Sequence, residues 1–580
     1  MKLPLRQYRA LLVTYLKPQW HLSLILLILL LINMGLALVN PQIIKVFIDT
    51  ISVGGTMSML IEMALLFLVV ALVKQGVAVY EGYVAENLSQ LATNRMRADL
   101  TLHCLRLDPS FHTSRTPGEL IERIDGDVST LGNFFSRFLV ALFGNVLLVI
   151  GVLILLYRVD WRVGLALTIF CLASLVVVGR LRGISTGAWE RERQASAERF
   201  GFIEERLAGT EDIRSSGGTM YTMQGLLEKT RLHVQAVKRA AIRSSLSWGI
   251  PTIFFAAGSA VSLAIGVYLF REGTATLGTV YLIFGYTTVI NDPISQIVNQ
   301  MRDLQQASGS IKRVLDLFAI RSELQDGEQM VPDGPLSLAF DDVSFSYVED
   351  VPVLEHISFE LPVGTVMGLL GRTGSGKSTM TKLITRLYDP GQGAIRAGGV
   401  DLRALQLDSL RGSIGMVTQD VQILHATVRD NLTLFDDSIP DERIVRALAE
   451  LGLEQWYASL AEGLDTVLAP GGTGLSAGEA QLISFARVFL KDPRIVILDE
   501  ASSRLDPATE RRLEHAVDRL MEGRTGIIIA HRLATVLHTN TIMILENGRC
   551  CEYGAREELV RNPDSRFAQL LRTGLEEVMA

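Results

Sequence analysis

A chain of 580 residues is too long for one hydrophobic core, so several domains are expected. Hydrophobic content of 48% and mean hydropathy of +0.29, beside 20% charged residues, are high for a soluble protein and point to a membrane part joined to a soluble part. A net charge of −7 argues against nucleic acid as a partner, and the four cysteines (Cys104, Cys171, Cys550, Cys551) form no CxxC pair, which argues against a zinc site or a disulfide framework.

The stretch Leu5–Lys17 spaces apolar residues at helical period with Arg6, Arg9 and Lys17 between them, a pattern suited to a membrane surface. No cleavable signal peptide is expected, because the first apolar run starts late, is too long and lacks a small-residue cleavage site. His21–Val39 is almost wholly apolar and matches the ~20 residues that a bilayer crossing needs. Five further spans are predicted at roughly 57–78, 138–156, 163–178, 250–270 and 277–290, giving six. Lys and Arg crowd the segments before span one, between spans two and three, and between spans four and five. Both chain ends are therefore expected in the cytoplasm, most simply at a cell (inner) membrane.

Residues 84–136 and 183–246 alternate charged and apolar positions at helical period, so spans two to five should run on into the cytosol as helical hairpins. Asp108-Pro-Ser110, Thr116-Pro-Gly118 and Ser215-Ser-Gly-Gly218 read as their turns. Lys74 and Glu81, seven apart, share a helix face: either they line a polar cavity or Lys74 snorkels to the inner headgroups. Pro293–Phe318 reads as another charged helix. The expected division is a transmembrane domain at 1–320, a linker at 321–335 marked by Gln325-Asp-Gly327 and Pro332-Asp-Gly334, and an α/β domain at 336–580.

In the second half, Gly371-Arg-Thr-Gly-Ser-Gly-Lys-Ser-Thr379 follows the apolar strand Val366–Leu370 and opens a helix at Met380. The pattern G-x-x-x-x-G-K-[ST] is a phosphate loop. Glycines let successive N–H groups point at phosphate oxygens, so Gly371, Thr373, Gly374, Ser375 and Gly376 are expected to cradle a nucleotide triphosphate. Lys377 adds a cation, and Ser378 and Thr379 follow it, Ser378 as a Mg²⁺ ligand. Upstream, Tyr347 ends a strand where an adenine could stack. Downstream, the strand Arg494–Leu498 delivers Asp499, expected on Mg²⁺, and Glu500, expected to orient or deprotonate the attacking water, at a sheet edge where ligands bind. The strand Thr525–Ala530 ends at His531, placed to donate to the γ-phosphate. Between them, Leu475-Ser-Ala-Gly-Glu479 opens a helix with a small-residue turn, a second anion site.

Taken in order, the phosphate loop, the Gln419 turn, this signature, Leu498-Asp-Glu500, Ser503-Arg-Leu-Asp506 and His531 resemble an ABC ATPase. The preceding spans resemble the membrane half of an ABC exporter. The resemblance implies an all-α six-helix transmembrane domain with long cytosolic extensions, followed by an α/β P-loop nucleotide-binding domain. It implies that two such domains sandwich two ATP molecules head to tail. Tyr347 would stack on adenine, and Lys377, Ser378, Thr379, Gln419 and Asp499 would hold phosphates and Mg²⁺. Glu500 is then the catalytic base and His531 steadies the γ-phosphate. Ser476 and Gly478 act on the partner's ATP, with Asp506 nearby.

Two departures stand out. Ala477 replaces the first glycine of the usual Leu-Ser-Gly-Gly-Gln, and Pro470 stands about where exporters carry a Glu. An intact phosphate loop beside an altered signature is similar to one subunit of the asymmetric heterodimeric exporters, a resemblance that favours a heterodimer of half-transporters over a homodimer. The expected activity is ATP-driven export of a small amphipathic molecule, a lipid or a peptide across the bilayer. The alternative is an ATP-gated or regulatory membrane protein on the same frame.

Overall fold

The computed structural model describes residues 11, 13–133, 139–348, 350–419, 421–499, 507–530, 536 and 539–573. It divides into a helical unit (residues 1–106 and 115–321) and an α/β unit (residues 107–114 and 322–580).

In the helical unit, five helices among the described residues are long and apolar enough to cross a membrane: Val13–Ser52, Met57–Leu105, Leu142–Val159, Trp161–Arg180 and Thr219–Arg271. The protein is thus a multi-pass membrane protein. Residues 277–290, predicted as the sixth span, begin the helix Leu277–Ala319, which is not among the five. Thr279, Tyr281, Tyr286, Thr287 and Thr288 dilute its apolar content, and Asp292 follows. Of the N-terminal surface segment 5–17, residues 5–10 and 12 lie outside the described residues.

The helices Trp161–Ala208 and Thr219–Arg271 hold 48 and 53 residues. At about 1.5 Å per residue, each far exceeds a ~30 Å hydrocarbon layer. They run antiparallel, since Glu192 meets His233 (3.0 Å) and Glu198 meets Lys229 (3.3 Å). The tip between them is the short helix Thr210–Ser215 followed by Gly217, whose φ of +69° closes the turn. Glu81 accepts a hydrogen bond from Asn33 Nδ2 (2.7 Å), and among the described residues no ion pair joins it to Lys74.

After the first long hairpin the chain forms Pro117–Ile121, capped by Thr116 Oγ1 on Glu119 N (3.3 Å), then a π-helical turn, Glu122–Asp127. That turn brings Asp127, 3% exposed, onto Arg313, which donates through Nε (2.8 Å) and Nη2. Burial pushes the Asp127 carboxyl up. Hydrogen bonds from Arg313 and Ser310, with the charges of Arg313 and Arg123, outweigh it and hold the group below the ordinary carboxylate range. A depressed folded-state value means the stabilisation is complete above the unfolded value and is lost as pH falls through the folded one, below about pH 4. Asp127→Asn should therefore destabilise the protein near neutrality by about 1.5–3 kcal/mol, toward the low end because Arg313 is half-exposed. Melting curves from pH 7 to pH 3 should show the variant losing less stability on acidification than the parent.

The α/β unit holds a four-stranded antiparallel sheet, β2-β1-β4-β5, and a six-stranded sheet, β10-β9-β3-β8-β7-β6. The strands are β1 Leu338–Val348, β2 Val351–Leu361, β3 Val366–Leu370, β4 Gln392–Ala397, β5 Val400–Asp401, β6 Ile414–Val417, β7 Ile495–Asp499, β8 Thr525–Ile529, β9 Thr541–Glu546 and β10 Arg549–Ala555. In the larger sheet only β10 runs antiparallel. Its central strands read as unbroken apolar runs because both faces are covered. Val366, Val496 and Ile528 enter one core, whereas Met367, Ile497 and Ile527 enter the other.

Candidate functional site

β3 is buried along its whole length and delivers the chain to a loop of unusual backbone. Gly371 has φ +153° and Gly376 φ +104°. A Cβ at Gly371 would lie 2.4 Å from Leu545 O, and one at Gly376 2.6 Å from Leu354 Cδ2. Only glycine fits either position. The helix Lys377–Ile384 follows directly.

Lys377 is 7% exposed, and its ammonium donates to Gly371 O (2.5 Å) and Arg372 O (3.0 Å). Burial pushes this ammonium below the ordinary lysine range, while the charge of Asp499 pulls it up. The Ser375 hydroxyl is buried and has no hydrogen-bond partner among the described residues. Thr373, Gly374 and Ser378 are exposed, so the loop presents its crown and a hydroxyl outward. Thr379 is buried and its Oγ1 accepts from Tyr347 OH (3.2 Å). Tyr347 is 43% exposed, edge-on to Phe345 (4.9 Å) and Tyr388 (5.2 Å), with Lys382 Nζ 5.4 Å from its ring centre.

Strand register brings the acidic end to the same edge. Leu369 of β3 pairs with Ile529 of β8, and Ile529 pairs with Asp499 at the end of β7. Leu498 pairs with Val417 of β6, so Gln419, exposed two residues later, leaves the sheet at that carboxyl edge as well. Glu500, Asp506 and His531 lie outside the described residues. The edge can hold a polyphosphate: glycine backbone leaves room, a buried cation sits beneath, and an unsatisfied hydroxyl remains to be used. Asp499 and Ser378 supply oxygen donors, the kind a hard divalent cation takes one or two of beside phosphate oxygens.

The signature lies elsewhere on the unit. Ser476 caps the helix Ala477–Lys491 through a capping box: its hydroxyl accepts from Glu479 N (3.2 Å), and Glu479 Oε2 accepts from Ser476 N (2.8 Å). Among the described residues, Ser476 makes its side-chain hydrogen bonds with Glu479 and none with the phosphate loop. Ala477 is the first residue of that helix and Gly478, behind it, is buried. The Ser-x-x-Glu spacing was available to a sequence reader as a helix start.

Sequence reasoning passed over Arg487. It is largely buried on the signature helix, donating to Asn431 O (2.6 Å), Gln422 O (2.9 Å) and Asn431 Oδ1 (3.1 Å). It thereby fastens the segment that follows Gln419 to the signature helix. Nothing in its spacing distinguishes it from a surface arginine.

Two family models match the chain: the ABC transporter transmembrane region over residues 23–294, and ABC transporter over residues 354–503. The chain is 30% identical over 563 residues to the uncharacterized ABC transporter ATP-binding protein YfiC of Bacillus subtilis, covering 94% of this chain and 91% of that one. It is 31% identical over 497 residues to an ATP-dependent lipid A-core flippase of Desulfotalea psychrophila, covering 84% and 86%. Its fold matches the structure of a bacterial Atm1-family ABC exporter with ATP bound, with TM-score 0.78 at 24% identity, covering 95% of this chain and 98% of that one.

Proposed function

This chain belongs to the ABC transporter family, with an ATP-hydrolysing domain fused to its membrane domain, and we propose that it is one half of a dimeric exporter working by alternating access. The observation that carries the reading is the carboxyl edge where Lys377, Asp499 and the Gly371–Gly376 loop converge, in a chain that also holds the membrane helices. In this reading Tyr347 stacks on adenine, the loop N–H groups and Lys377 hold the β- and γ-phosphates, and Thr379 lies behind them. Ser378, Gln419 and Asp499 hold Mg²⁺, which when bound neutralises charge on the phosphates. Glu500 takes a proton from the attacking water, and His531 steadies the γ-phosphate. Ser476 and Gly478 act on ATP held by the partner subunit, with Asp506 nearby.

ATP binds the closed dimer better than the open one, and that difference in affinity is the driving force. The cytosolic hairpins carry closure to the membrane helices, and hydrolysis resets them. The ATPase unit faces the cytoplasm, at the inner membrane. An amphipathic small molecule, a lipid or a peptide is the cargo class, and likeness to the lipid A-core flippase supports a lipid among these.

Ala477 places a methyl group at the start of the signature helix, where the usual sequence has glycine, and Pro470 heads a 3₁₀ turn ahead of it. These support a heterodimer in which the partner supplies the complete signature. Purified alone, the chain should hydrolyse ATP poorly, and co-assembly with a second half-transporter should raise turnover at least several-fold. Vigorous cooperative hydrolysis by the lone chain would contradict the heterodimer.

A further inference from the structure

Asp108 sits at the N-cap position of the short helix Pro109–Thr113, yet its side chain does not cap that helix. Asp108 is 8% exposed, and its carboxylate faces the segment that begins at Ser322. Oδ1 accepts from Ser322 Oγ (2.5 Å) and Oδ2 from Glu323 N (2.5 Å). A helix start that forgoes its own cap gives up about 1 kcal/mol. Here both oxygens are used on a segment more than 200 residues away in the chain.

That segment is no slack linker. Three residues on, Gln325 O accepts from Arg386 Nη2 (2.7 Å). Asp326 Oδ1 then accepts from Leu407 N (2.7 Å), Gly327 N donates to Leu405 O (3.2 Å), and Gln329 forms a parallel bridge with Leu405. A Cβ at Gly327 would lie 2.3 Å from Ala404 O, so the strap is pressed onto its bed. Arg386 is the hub. It is 1% exposed, donates also to Leu405 O (3.0 Å) and Asp389 Oδ1 (3.0 Å), and takes the left-handed φ of +47°. It stands two residues beyond the helix Lys377–Ile384, which begins at the phosphate loop.

We propose that Asp108 is a positioning residue for transport: it ties the first cytosolic turn to the strap 322–329, which Arg386 locks to the phosphate-loop helix. The turn's chain runs back without a break to Leu105, the end of a candidate membrane helix. A displacement of the phosphate-loop helix by nucleotide would then reach that helix through stretches of backbone joined by two sets of hydrogen bonds, Arg386 on Gln325 and Ser322 with Glu323 on Asp108. Asp108 touches no substrate, so its loss leaves nucleotide binding intact and uncouples it from the membrane helices. The inference rests on the exporter reading above.

The test uses the full-length protein in nanodiscs, with its partner subunit if one is needed. Spin labels are placed at the exposed positions Val53 and Trp161 in a Cys551→Ser background. ATP affinity, melting temperature and the ATP-driven change in label distance are compared across Asp108→Ala, Ser322→Ala and the double variant. Asp108→Ala should keep ATP affinity within ~2-fold and weaken the ATP-driven shift about 2- to 30-fold. Ser322→Ala should weaken it less, and the double variant should be no worse than Asp108→Ala, because the two residues share one contact. Asp108→Asn, which keeps an acceptor for Glu323 N, should recover part of the shift. A full distance change in Asp108→Ala, additive losses in the double variant, or a parallel collapse of melting temperature and ATP affinity would each overturn the proposal. An unvarying label distance in the parent protein would instead refute the exporter reading, and the tie with it.

Discussion

Lys377→Ala should lower ATP turnover by about 10²–10³-fold, the size expected when one preorganised charge at a developing negative centre is removed. Few lysines are as confined as this one. Its ammonium is buried, held by two loop carbonyls, and within the field of Asp499. Alanine would remove the donor that the Gly371 and Arg372 carbonyls share and a cation in the field of Asp499, so the loop should also bind nucleotide less tightly. Arginine should not rescue it, since a planar guanidinium has no room where Lys377 is 7% exposed. Calorimetric ATP binding and steady-state hydrolysis, read beside the melting temperature, separate this from unfolding. Turnover within a few-fold of the parent would remove Lys377 from the site.

Glu500→Gln should act on the other half of the cycle. Losing a general base lowers the chemical step by about 10²–10⁴-fold, while an isosteric amide leaves ATP binding intact. The variant should therefore retain nucleotide unhydrolysed, and gel filtration in ATP should recover it nucleotide-bound. Asp127→Asn and Asp108→Ala, by contrast, should leave the chemical step largely alone, because neither residue belongs to the phosphate edge.

The phosphate edge was legible in the sequence because its chemistry is written in spacing. Gly371, Gly376 and Lys377 stand at fixed offsets behind an apolar strand, and a second apolar run ends in Asp499. Parallel register then brings the two strand ends to one level. The long helices were legible from period and from the absence of proline between residues 161 and 208. Span six was harder, because hydroxyls and tyrosines bring residues 277–290 below the apolar content of the other spans.

Other features left no such trace. Gln325-Asp-Gly327 and Pro332-Asp-Gly334 are turn signals and read as a linker. The strap is instead held largely by backbone groups of residues 404–406, which no side-chain pattern encodes. Nothing in the sequence around Arg386 marks it as buried, yet it is one of the largest fully buried side chains. Asp108, beside a proline, reads as a turn residue, and its real partners lie more than 200 positions away. Long-range polar contacts of this kind depend on the fold that creates them.

The most direct measurement is uphill accumulation of a fluorescent amphipathic lipid or dye in inside-out proteoliposomes at saturating ATP, comparing the intact assembly with its Glu500→Gln variant. Accumulation above the external concentration by the intact assembly, lost in the variant, is the expected result. Equal flux in both, stopping at equilibrium, would contradict ATP-driven export and favour a nucleotide-gated path.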